Sequence, residues 1–369
     1  MKTFFPISQP SIGQREVEYV TKAVQSGWVS SIGEYIEAFE KSFATFCGTQ
    51  YALAVSSGTS GLHLALVSLG IKANDEVIIP DLTFVATANA VAYTGARVVP
   101  VDIDRETLCI DTTAVEAAVT PRTRAILPVH LYGQPAAMDS LRAIAHEKKL
   151  FLIEDAAEAH GAEYKGRRVG AIGDCGVFSF YGNKIVTTGE GGMITTNSRD
   201  FYDRAKLLRD HAMSPTQRYW HTQVGFNYRM TNLQAALGVA QMERIDEFLE
   251  KRQKIMAWYR DALGLGSRLR LNHQAPGTRN VYWMVCLEIH GMEATMRDRL
   301  MGRLRELGVD SRPYFHPVSD LPMYDRANTP VAHEASRCGL NLPSYSDLSE
   351  SDVGQICEIT SGVLSQLKI

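Results

Sequence analysis

Up to about residue 200 the sequence alternates short runs rich in Val, Ile and Leu with helical patterns. This is the signature of βαβ units, and so of a mostly parallel sheet. Runs at 51–56, 76–79, 98–102, 125–130, 150–155, 177–181 and 192–196 predict seven strands, several apolar enough to be buried on both faces. Between them Leu62, Ala65, Leu66 and Leu69 fall at helical spacing, as do Leu141, Ile144 and Ala145. A proline-free stretch at 231–263, with Thr231 as N-cap, predicts a long helix bridging into a second unit. Beyond about 265 the pattern changes: 282–289 alternates like a half-buried strand, and 295–307 and 352–367 read as amphipathic helices. The expected organisation is an α/β domain at 1–250, including the N-terminal segment, and a smaller C-terminal α+β domain at 251–369.

A chain of 369 residues can bury a sizeable core, and its 45% hydrophobic and 21% charged content is that of a soluble globular enzyme. A net charge of -3 supplies no positive field for nucleic acid. The six cysteines are scattered, with no C-x-x-C pair, which fits reduced thiols in a cytoplasmic protein. Polar and turn residues follow Met-Lys-Thr-Phe-Phe-Pro where a signal peptide would turn apolar, and no run is long enough to span a membrane. No His/Cys/Asp cluster has metal-ligand spacing, so no metal is expected.

Three segments carry chemistry. Ser56-Ser57-Gly58-Thr59-Ser60-Gly61 joins the first strand to the helix of Leu62. Small residues there let the backbone approach an anion, and the helix N-terminus supplies N–H donors, although a simple capped turn has the same composition. Leu150-Phe151-Leu152-Ile153-Glu154-Asp155 is an apolar strand ending in two carboxylates. Such an end could bind Mg²⁺, act as a base, sit against a pyridinium nitrogen, or simply be solvated. Val177-Phe178-Ser179-Phe180-Tyr181-Gly182-Asn183-Lys184 delivers a single lysine into the Gly/Thr-rich loop 187–192. An isolated lysine is usually a solvated charge, but one whose pKa falls through burial can form a Schiff base. Imine-forming lysine, acidic strand end and phosphate cradle are together what pyridoxal 5'-phosphate (PLP) requires.

In this order the segments resemble the DegT-type sugar aminotransferases of PLP fold-type I. The similarity extends to Gly27-Trp28-Val29-Ser30-Ser31, Pro80-Asp81-Leu82-Thr83-Phe84, Gly225-Phe226-Asn227-Tyr228-Arg229-Met230 and Ser311-Arg312-Pro313. The resemblance implies Lys184 as Schiff-base and proton-shuttling residue and Asp155 as partner of the pyridinium nitrogen. It implies Phe84 stacked on the ring, where close relatives have tyrosine, and Glu158 near the phenolic edge. Ser57, Gly58, Thr59 and Ser179 would hold the phosphate, with Asn227 reaching it from the neighbouring subunit of a homodimer, or of a tetramer built from dimers. Relatives that replace the lysine with histidine are dehydratases; Lys184 favours transamination, with pyridoxamine phosphate as the intermediate.

Arg218-Tyr219-Trp220-His221 and Tyr282-Trp283-Met284 are most similar to a subgroup acting on GDP-linked sugars. That implies GDP-4-keto-6-deoxy-D-mannose as substrate, GDP-perosamine as product, L-glutamate as amino donor and a place in polysaccharide (O-antigen) biosynthesis. Trp28, Arg218, Tyr219, His221, Arg312, Phe315 and His316 are the candidate substrate contacts, since guanidinium groups pair with diphosphates and aromatic rings stack on bases and sugars. Arg312 has an ion-pair alternative, Trp220 and Phe315 a dimer-interface one, and His130 is expected to be a packed or hydrogen-bonded histidine. Two other functions stay open: C3 or C4 amination of a UDP- or dTDP-keto-sugar, and a PLP-sensing regulator without catalysis.

Overall fold

The computed structural model describes residues 4–263 and 266–367. Seven strands form the central sheet: Tyr51–Val55 (β1), Glu76–Pro80 (β2), Arg97–Val101 (β3), Thr123–Ile126 (β4), Phe151–Asp155 (β5), Cys175–Ser179 (β6) and Gly192–Thr196 (β7). Their order is β1-β7-β6-β5-β4-β2-β3. Only β7 runs against its neighbours, so β1 to β6 all point the same way and their carboxyl ends share one edge. The period of two in each strand divides the core between the two faces. Ile78, Leu152 and Phe178 pack on one side with Phe39, Phe43 and Phe180, while Val77, Ile79, Ile153 and Val177 pack on the other with Leu62 and Leu66.

β4 is shorter than the expected 125–130. Pro128 has no N–H for the ladder, so after Ile126 the chain leaves regular pairing and returns for single bonds, His130 N–H to the Asp155 carbonyl among them. The stretch expected as one helix at 231–263 is two, Asn232–Met242 and Ile245–Ala262. Thr231 caps the first, accepting from the Gln234 N–H. The break falls at Glu243–Arg244, where the Arg244 guanidinium binds Glu16 of the N-terminal helix at 3.0 Å and Glu247 at 3.3 Å.

The helix Ile245–Ala262 crosses position 250 and joins two cores. Its first half (Ile245, Phe248, Leu249) packs with the large sheet, its second half (Ile255, Met256, Tyr259) with a small antiparallel one. That sheet runs in the order Leu269–Leu271 (β8), Val285–Ile289 (β9), Gly339–Leu342 (β11), Arg312–Pro313 (β10). Helices Ala294–Glu306 and Glu350–Leu367 pack beside it. β9 begins at Val285 rather than 282 and is buried along its whole length, because helices and sheet cover both its faces. Phe5 also joins this core and exchanges backbone hydrogen bonds with Gly308 and Asp310, so the N-terminal segment ends against the smaller unit.

Candidate active site

The shared carboxyl edge of β1, β5 and β6 opens into a cavity of about 490 Å³. This is where open α/β sheets place their ligands, because the turns there leave helix N-termini and strand-end side chains unpaired.

After β1 the chain turns into the helix Gly58–Ser68. Ser57 caps it, accepting from the Ser60 N–H at 3.1 Å, and the N–H groups of Gly58 and Thr59 open the helix without intrahelical acceptors. The turn crosses tightly over the sheet. A Cβ on Gly58 would lie 2.9 Å from the Ser179 Cβ, and one on Gly192 only 2.6 Å from the Ser57 backbone. Gly58, Thr59, Ser57 and Ser179 therefore form one shallow donor-lined cradle on the cavity wall.

Asp155 ends β5 and is almost fully buried. Its Oδ2 accepts from the Thr87 hydroxyl at 2.7 Å and its Oδ1 from the Ala157 N–H at 3.1 Å. Burial pushes its carboxyl pKa up, while these two donors and the nearby Lys184 pull it back. The other carboxylate of this strand faces away from chemistry: Glu154 accepts from the Gly170, Ile172 and Gly173 N–H groups and pairs with His130 at 3.0 Å. His130 is thus a packed histidine bonded at both ring nitrogens, its Nδ1 taking the Ala136 N–H.

Lys184 reaches the cavity from the loop after β6, with 11% of its side chain exposed. Its Nζ stands 3.7 Å from Glu158 Oε1 and 3.8 Å from the ring centroid of Trp283. Burial lowers its pKa, against the pull of Glu158 and Asp155. Burial also raises Glu158 to about 7, although Lys184 and the Tyr132 N–H, at 2.8 Å, favour its charge. The pair is driven toward neutral lysine and neutral acid, and a neutral amine is what attacks a carbonyl. Phe84 leaves 54% of its surface open to the cavity, 5.7 Å from the ring of Phe315.

The donor set fits PLP: a cradle that a Cβ would fill, a carboxylate at a strand end, a buried lysine and an unpaired aromatic face. Among the expected contacts, Ser57, Gly58, Thr59, Phe84, Asp155, Glu158, Ser179, Lys184 and Phe315 line this cavity. Trp28, Arg218, Tyr219, His221 and Asn227 lie outside it, on exposed surface of the same chain. Arg312 pairs with Asp310 at 2.6 Å beside a separate hollow, and His316 lines another with Arg297 and His333. Thr87, Tyr132 and Trp283 are contacts that motif reading left unassigned. Trp283 alone carried a signal, in Tyr282-Trp283-Met284.

A model of the DegT/DnrJ/EryC1/StrS aminotransferase family matches residues 10–361. A GDP-perosamine synthase of Caulobacter vibrioides is 47% identical over 97% of this chain and 98% of its own, and one of Escherichia coli O157:H7 is 42% identical over 96% and 97%. A sugar-aminotransferase-like structure from Streptococcus pneumoniae, solved in its PLP form, superposes with a TM-score of 0.94 at 26% identity, over 99% of both chains. With fold, cavity and nearly the whole sequence in agreement, the chain belongs to the DegT/DnrJ/EryC1/StrS aminotransferase family.

Proposed function

We propose that this protein transfers the amino group of L-glutamate to GDP-4-keto-6-deoxy-D-mannose, yielding GDP-perosamine. The observation that carries the substrate is the end-to-end likeness to GDP-perosamine synthases, at 47% identity over 97% of the chain. The buried lysine, 3.7 Å from Glu158 and within the field of Asp155, supports the reaction class.

When bound, PLP supplies an imine carbon and a ring that takes up the electron pair left by a departing proton. Lys184 holds the cofactor through Nζ and, once released, takes the proton from glutamate Cα and later returns one to the sugar carbon. Asp155, held by Thr87 and Ala157, stabilises the charged ring nitrogen. Ser57, Gly58, Thr59 and Ser179 bind the phosphate, Phe84 covers a ring face, and Glu158 lies at the phenolic edge. The same residues would hold the pyridoxamine phosphate form, which would supply the amino group for the sugar.

This reading makes the protein a cytoplasmic homodimer. Asn227 of a second copy would complete the phosphate site, and Trp28, Arg218, Tyr219 and His221 would reach the nucleotide-sugar from that copy, with Phe315 on the near side. The exposure of Trp28, Ile32, Tyr181, Tyr219, Trp220 and Val224 supports a covered face. No helix among the described residues is long and apolar enough to cross a membrane.

The test is incubation of the PLP-loaded protein with glutamate and the GDP-, UDP- or dTDP-linked keto-sugar, following 2-oxoglutarate and the amino-sugar by mass spectrometry. Amination of the GDP-sugar alone is expected. Amination only of a UDP- or dTDP-sugar replaces the substrate, and PLP binding with no amination of any leaves a cofactor-sensing protein.

A further inference from the structure

The C-terminal part of the chain contributes two side chains to the cavity wall, Phe315 and Trp283, each from a segment outside regular structure. Tyr282 has φ +49°, a conformation that strains a non-glycine residue, and the next residue, Trp283, enters the cavity wall with only 4% of its surface exposed. Tyr132, across from it, is strained in the same sense with φ +53°. Strain of this kind persists only where the surroundings over-determine it.

The surroundings form a closed ring of contacts about Lys184. The Glu158 carboxylate accepts from the Tyr132 N–H at 2.8 Å, and the Tyr132 carbonyl accepts from the Trp283 N–H at 3.2 Å. The indole N–H of Trp283 donates to the Asn183 carbonyl at 2.8 Å, one residue before the lysine. Arg252, buried, donates to the Trp283 carbonyl at 3.3 Å from the helix that joins the two cores. Lys184 Nζ closes the ring, over the indole at 3.8 Å and facing Glu158 at 3.7 Å.

We propose that Trp283 is a positioning residue for Lys184: its indole face receives the lysine ammonium whenever the amine is free of the cofactor, and its N–H fixes the backbone from which that lysine extends. The proposal rests on Lys184 being the cofactor-carrying lysine. A proton shuttle must be able to hold its proton in a site that burial makes hostile to charge. The charged or titratable groups that act on it are Glu158 and Asp155, and near it stands His160, whose imidazole burial pushes down to about 3 and so keeps neutral. A carboxylate stabilises the ammonium but can also take its proton. An indole face attracts the cation through its quadrupole and has no basic site to compete for the proton, so it favours the charged amine without quenching it.

The experiment is competitive acylation of Lys184 across a pH series, read by mass spectrometry on the full-length chain freed of cofactor, for wild type, Trp283→Phe and Trp283→Leu. Loss of the indole face removes a stabiliser of the ammonium, so the Lys184 labelling midpoint should fall by about one pH unit in Trp283→Leu and by less in Trp283→Phe. If Trp283→Leu does not fold, the downward shift in Trp283→Phe carries the test. An unchanged or raised midpoint in the folded variants overturns the proposal, even if cofactor uptake suffers. Borohydride trapping of PLP on wild-type Lys184 is the separate control: its failure would strike the assignment of the lysine and leave the labelling result standing.

Discussion

Glu158 Oε1 stands 3.7 Å from Lys184 Nζ in a site where burial opposes the charge on each. Burial raises Glu158 from its ordinary 4.5 to about 7, so between those values the folded chain keeps a proton that the unfolded chain has released. The unfolded state then binds fewer protons, and stability must fall as pH rises through that window. Thermal unfolding of the cofactor-free protein should show wild type losing on the order of 2 kcal/mol relative to Glu158→Gln between about pH 4.5 and 7. Parallel curves for the two proteins would mean that Glu158 is ionised in the fold.

On the proposed reading, Lys184→Ala removes both the attachment point and the proton carrier. Turnover should drop by at least about 10³-fold, the scale of a lost positioned acid–base group. Borohydride should trap PLP on wild type and leave no covalent adduct on the variant, as read by peptide mass. Retention of a trapped cofactor at another lysine would reassign the site.

Thr87 matters through Asp155. Its hydroxyl supplies the shorter of the two hydrogen bonds on that carboxylate, 2.7 Å against 3.1 Å from the Ala157 N–H. Thr87→Val keeps the shape and deletes the donor, leaving a buried carboxylate under-satisfied at a cost of about 1–3 kcal/mol. Steady-state kinetics should show a roughly five- to hundredfold fall in kcat, with Thr87→Ser close to wild type. Equal loss in Thr87→Val and Thr87→Ser would point to packing instead of the hydrogen bond.

Much of this was legible in the sequence because it is local. All seven strands of the central sheet follow from apolar runs, and Lys184, Asp155 and the Ser57–Thr59 turn stand out because each lies at or shortly after a strand end within its own motif. Boundaries failed where a distant partner decides them. Nothing near Arg244 announces a helix break, since the residue that draws its guanidinium aside is Glu16. Tyr282 looks like a strand residue until the tertiary fold imposes its positive φ. Thr87 and Trp283 line the cavity and the Tyr132 N–H holds Glu158, from three separate segments, a convergence that spacing along the chain does not encode.

The cradle itself offers the sharpest separation of binding from folding. Gly58 opens the helix Gly58–Ser68, where alanine is at least as favourable as glycine for the helix. Its added Cβ would nonetheless fall 2.9 Å from the Ser179 Cβ, closer than side-chain carbons pack, so the turn and the strand end must move apart by several tenths of an ångström. On the proposed reading, that displacement misaligns the two N–H groups and the Ser179 hydroxyl, which would converge on one phosphate. Gly58→Ala should therefore retain its melting temperature without cofactor to within a few degrees while PLP affinity, followed by fluorescence titration, weakens by roughly ten- to a hundredfold, the equivalent of losing one or two charge-assisted hydrogen bonds. Unchanged PLP affinity in a folded Gly58→Ala protein would place the phosphate elsewhere on the cavity wall.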